Sequence, residues 1–151
     1  MRCDNACLLL HTGAEWTFDG AAFVASVAAV RACSPTPVRA PSFDHAVGDP
    51  VPDAVVVAPH TRFVLVEGNY LFLSEPPWDA LPSLLDERWF MDVPPEAAMQ
   101  RIVRRHVAVG ATQEQAQARA AGSDALNARL VWTRRHAARP HVAVPSFDET
   151  Q

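Results

Sequence analysis

The run Arg62 to Leu73, R-F-V-L-V-E-G-N-Y-L-F-L, constrains the fold more than any other stretch of this chain. Phe63, Val64, Leu65 and Val66 form a continuous apolar run, rich in β-branched and aromatic side chains, too short for a helix and closed by Glu67-Gly68. Such a run predicts a strand buried on both faces, and strands of that kind lie inside parallel sheets. Open α/β sheets bind their ligands beyond the carboxyl ends of the strands, so Glu67 is a candidate functional acid. The competing reading makes Glu67-Gly68-Asn69 only a polar turn from strand to helix. What surrounds the turn has to separate the two.

The rest of the chain alternates between helical and extended patterns. Thr17 or Asp19 can cap a helix in which Phe23, Val24, Val27 and Arg31 recur on one side, and which stops before Pro35. Pro35 and Pro37 lead into an extended piece ending near Pro41. The loop S-F-D-H-A-V-G-D-P-V-P-D follows, dense in acids, glycine and proline, and then a short strand, Ala54 to Ala58. Beyond the Arg62 strand, Trp78 to Asp86 reads as a short helix with Pro82 in its first turn, and Arg88 to Val93 as a strand. Pro94-Pro95-Glu96 opens a helix that runs to about Val109 and stops at Gly110. On it Met99, Ile102, Val103 and His106 form one apolar stripe, with Arg101, Arg104 and Arg105 on the other face. Thr112 to Gln115 is a T-x-x-Q capping box for a helix ending near Gly122. Ser123 can cap another, through Leu126, Leu130 and Val131 to about Ala138, before a terminal strand His141 to Val144. Strands alternating with helices predict an α/β fold with a mostly parallel sheet flanked by helices.

With 49% hydrophobic and 20% charged residues the composition is that of a soluble globular protein, and 151 residues fit a single domain, 1–151. The formal net charge of -4 argues against a nucleic-acid partner, and no interleaved aromatics accompany the arginines. No window reaches transmembrane length, and Asp4 and Asn5 interrupt the only early apolar run, so neither a membrane partner nor a secretory signal is expected and the location expected is cytoplasmic. Cys3, Cys7 and Cys33 lack paired spacing and are expected to be reduced thiols, and the scattered histidines predict no structural metal. All thirteen basic residues are arginine, so the chain holds no lysine.

Three groups of residues can carry chemistry. Arg101, Arg104 and Arg105 on one helix face can present planar, permanently charged forks to a phosphate, or form a solvated face with i, i+4 partners. Asp44 and His45, beside Phe43 and Asp49, can hydrogen-bond the hydroxyls of a small polar substrate, or make an Asx-type turn. Asp124 and Asn127, three apart at a helix start, can anchor a lid or simply cap the helix.

In their order along the chain, V-E-G-N-Y-L-F-L, P-P-W, D-E-R-W-F-M-D-V, R-I-V-R-R-H-V-A-V-G and S-D-A-L-N-A-R-L-V resemble the P-loop kinases of the uridine kinase, phosphoribulokinase and pantothenate kinase group, nearest its bacterial nucleoside or sugar kinase-like members. T-F-D-G-A-A-F and A-P-S-F-D-H resemble that family's substrate-side segments, so the likeness spans about residues 12 to 145. It implies a partial P-loop kinase fold with a helical lid at about 95–125, ATP and Mg2+ as cofactors, and a small-molecule substrate whose hydroxyl is phosphorylated. Glu67 becomes the acid of the Walker B-like strand, acting on the magnesium shell. Arg101, Arg104 and Arg105 belong to the lid helix over the ATP phosphates. Asp44 and His45 lie on the acceptor side, and Asp124 and Asn127 match an N-D-x-x-N lid segment in which Ser123 replaces the first asparagine.

The likeness is interrupted at one place. These kinases carry a strand followed by G-x-x-x-x-G-K-[ST], whose amides and lysine hold the phosphates, and a chain without lysine cannot contain it. The expectation is an N-terminally incomplete kinase, inactive as it stands, whose missing part reflects a misplaced start codon, a truncated gene or a separate chain. The alternative is a non-catalytic kinase-like module with a binding or regulatory role. In the family architecture the missing strand lies beside Arg62 to Val66, so an exposed edge near Val64 and a tendency to form homodimers or aggregates are expected.

Overall fold

The structure is a computed structural model that describes residues 14–33, 35–43, 50–135 and 140–146. A 3-10 turn, Glu15–Thr17, leads into α1, Gly20–Arg31. Asp19 is the cap: its Oδ1 accepts from the Ala22 amide at 2.9 Å, which satisfies one of the amides a helix start leaves unpaired. α1 ends at Ala32 and Cys33, the latter at φ 52°, ahead of the prolines foreseen as its stop.

β1 (Val38–Phe43) and β2 (Pro50–Val57) form an antiparallel pair running from Val38 opposite Val57 to Phe43 opposite Pro50. The register shifts between Ala40 and Ser42, where Pro41 has no amide to give to the ladder. Across from it Asp53 sits at φ 56°. A short 3-10 turn, Trp78–Ala80, passes into α2, Leu81–Leu84, with Pro82 in the first turn as expected and the helix shorter than expected. β3 (Trp89–Asp92) and β4 (Val142–Pro145) pair in parallel, with Trp89 opposite Val142 and Asp92 opposite Pro145.

Between them come α3 (Pro95–Ala108), α4 (Gln113–Arg119), a wide π-type turn (Ala120–Asp124) and α5 (Ala125–Arg134). The capping box of α4 is complete: Thr112 Oγ1 accepts from the Gln115 amide at 3.2 Å, and Gln115 Oε1 from the Thr112 amide at 3.0 Å. Ser123 does not cap α5 as expected. Gly122 kinks the chain at φ -84° and ψ -121° inside the turn, and the helical path resumes without a fresh capped start.

The core is built on Tyr70, Leu73, Trp78 and Leu81, with Phe23, Val24 and Val27 of α1 and Leu130 and Val131 of α5 packed against them. It therefore lies directly behind the E-G-N-Y-L turn. The strand that should lead into that turn is the main correction. Residues 61–68 join no ladder, and Phe63 and Leu65 are 88% and 96% exposed rather than buried on both faces. A two-faced apolar strand is buried only when neighbours lie on both sides of it, and no described strand does so. Val64 is exposed, but with no ladder at this segment the exposed sheet edge expected there does not form.

Candidate active site

Glu67 stands exposed at the end of the extended segment, and the residues after it are fixed. Tyr70 is 7% exposed and Leu73 3%, and Leu73 bridges to Arg135 beyond α5. Burial, followed by the nearby Glu15 carboxylate, pushes the Tyr70 phenol up to about 12. Trp78 packs against Tyr70 with ring centroids 5.8 Å apart, and its Nε1 donates to Glu15 Oε1 at 3.0 Å. A Cβ on Gly20 would come within 2.9 Å of the Trp78 ring. The T-F-D-G segment thus packs on the turn that carries Glu67, through Trp78. Asp19, an acid in that segment, is occupied as the α1 cap.

On α3 the three arginines separate. Arg101 is half-buried and donates to the hydroxyl and, at 3.4 Å, to the carbonyl oxygen of Ser146, just past β4. Arg104 and Arg105 are exposed. Asp124 lies in the π-type turn, and its Oδ2 stands 3.5 Å from Nε2 of His106 on α3. Asn127 is half-buried on α5. Asp44 and His45 fall outside the described residues.

His106, Glu15 and Ser146 were not foreseen as parts of this region. His106 carried a usable signal, since an imidazole inside an otherwise apolar stripe needs a polar partner on whatever packs against it. Nothing in the residues around Glu15 or Ser146 announced a partner more than forty positions away in sequence.

Magnesium keeps several waters and binds through one or two carboxylates together with substrate phosphates, a donor set that exposed Glu67 fits. Among the described residues no group of three or more His, Cys, Asp and Glu forms a metal cage. ATP phosphates also require a cradle of backbone amides with a lysine, and no lysine exists here. Among the described residues stand an exposed acid and a set of arginines, without the lysine of such a cradle.

No known family profile matches the chain. It is 46% identical over 131 residues to an ATP-dependent kinase-like protein of Aspergillus versicolor, notR', covering 83% of this chain and 76% of that protein. The chain belongs to the ATP-dependent kinases of the P-loop class. A kinase relative of Schizosaccharomyces pombe, named for uridine kinase, is 40% identical over 121 residues, which are 79% of this chain and 52% of that one. Among solved kinase structures, a Silicibacter sp. TM1040 protein assigned by name only as a fructose transport system kinase superposes with a TM-score of 0.82 at 31% identity, over 93% of this chain and 66% of its own. YFH7 of Saccharomyces cerevisiae, described as a P-loop kinase with a circular permutation, gives a TM-score of 0.61 at 25% identity, over 74% and 36%. The chain thus spans about three quarters of the first kinase relative and about half of the second. Its α/β fold is that of the P-loop kinases. No described helix is long and apolar enough to cross a membrane.

Proposed function

We propose that this chain carries the acid and lid side of an ATP-dependent kinase that phosphorylates a hydroxyl of a small metabolite such as a nucleoside, a sugar or pantothenate, in the cytoplasm. The observation that carries the reading is Glu67, an exposed carboxylate that follows an uncovered apolar segment and stands on a turn anchored by Tyr70 and Trp78. An acid so held suits the magnesium shell of a phosphoryl-transfer site. Arg104 and Arg105, exposed on α3, are assigned to ATP phosphates, while Arg101 helps to dock α3 on the segment after β4. Asp44 and His45 are assigned to the acceptor, and Asp124 and Asn127 to the lid.

The 151 residues alone are expected not to turn over, because the phosphate-cradling loop and its lysine must come from outside them. The same absence favours a second reading, a non-catalytic kinase relative that binds or regulates. Genomic DNA read in frame upstream of Met1 separates the two. A strand followed by G-x-x-x-x-G-K-[ST] supports the kinase, and the encoded protein should then show magnesium-ATP phosphotransfer across a panel of these acceptors. Glu67→Gln should lower that rate by roughly 100-fold or more. A stop codon between such a sequence and Met1, or full turnover by Glu67→Gln, counts against it.

A further inference from the structure

Helix α4 is bracketed by two glycines. Gly110 closes α3 at φ 103°, where residues with side chains are strained, and Gly122 kinks the turn after α4. A Cβ at either would meet nothing within 4 Å. Between these joints α4 buries chiefly Ala116 and, just past its end, Ala120, which are small side chains that hold a helix weakly.

One polar contact spans both joints. His106 stands in the last turn of α3, before Gly110, and Asp124 follows Gly122. His106 Nε2 is cut off from solvent and makes no hydrogen bond, and the 3.5 Å approach of Asp124 Oδ2 is an ion-pair distance without hydrogen-bond geometry. A ring nitrogen shut off from solvent needs a polar partner, and the Asp124 carboxylate approaches it. The two side chains are only 17% and 31% exposed. The π-type turn, α4 and α5 all pack on α3. The charged groups on these elements are otherwise exposed: Glu96, Arg104 and Arg105 on α3, Glu114 and Arg119 on α4, Arg129 and Arg134 on α5. Arg101, which is half-buried, is held by Ser146.

We propose that His106 is a positioning residue of the lid: through its contact with Asp124 it latches α4 between the glycine joints, and loss of the contact from either side frees α4. The purpose of the latch rests on the kinase reading, but the latch itself is tested without nucleotide, so its failure leaves that reading standing.

The test is amide hydrogen exchange of residues 113–119 in the 151-residue chain, with α1 as the reference. His106→Leu should lower the protection of α4 roughly two- to fivefold, as befits a half-buried pair, while α1 holds. Asp124→Asn should do the same from the other partner, so either variant can decide if its companion does not fold, and the double variant should lose no more than either alone, as a direct contact requires. Unchanged α4 protection in a folded variant overturns the proposal, as do losses that simply add in the double variant.

Discussion

Trp78 Nε1 donates to Glu15 Oε1 at 3.0 Å across sixty-three positions of sequence, and this bond ties the 3-10 turn that leads into α1 to the ring packed on Tyr70. Glu15→Ala leaves the indole N–H of a nearly buried ring without its acceptor and should cost about 1–2 kcal/mol in urea unfolding. Gly20→Ala sets a methyl group 2.9 Å from the same ring and should cost about 1–3 kcal/mol by overpacking. Glu15→Gln keeps an acceptor oxygen and should cost less than Glu15→Ala. Equal losses in the two Glu15 variants would mean that the bond contributes little.

Tyr70 is the single tyrosine, so tyrosinate absorbance reads it alone. Burial and then Glu15 push its phenol up to about 12 in the fold, against about 10 in an unfolded chain. Between those values the folded state binds more protons than the unfolded one, so stability holds below about pH 10 and falls as pH rises towards 12. Glu15→Gln removes the second cause and should move the midpoint down. A native titration that coincides with the one in denaturant contradicts the burial of Tyr70.

Phe63 and Leu65 stand almost wholly in solvent on an unpaired extended segment, which is a template for association. The 151-residue chain should self-associate with rising concentration in light scattering. Phe63→Glu with Leu65→Glu should suppress this while changing unfolding free energy by no more than about 0.5 kcal/mol per site. A wild-type chain that stays monomeric at high concentration contradicts the prediction.

Much of this was legible in the sequence because local chemistry determined it. Asp19 at the start of α1, Thr112 with Gln115 and Gly110 after α3 all act over three or four residues, and these elements formed where the signals stand, whereas β1 runs through Pro41, near which it was expected to end, to Phe43. Residues 62–66 followed the same local logic and still failed as a strand, since burial on two faces depends on neighbours that lie outside the segment. The same applies at the site. Glu67 and the arginines stand out as residue types in a pattern, but the Ser146 tie of Arg101 and the Asp124 partner of His106 are set by how α3 packs, which no local spacing encodes.

We propose that these residues supply the acid and lid of a kinase but not its phosphate cradle. A thermal melt of the 151-residue chain with and without magnesium-ATP tests it most directly. A ligand present at a hundred times its dissociation constant stabilises the folded form by about 2.7 kcal/mol, which for a domain of this size raises the midpoint by roughly 5–10 °C. The account predicts no rise beyond about 1 °C, within the scatter of such melts relative to that signal. A rise of several degrees that needs both magnesium and the γ-phosphate would contradict it, and would mean that the chain cradles phosphate without a lysine.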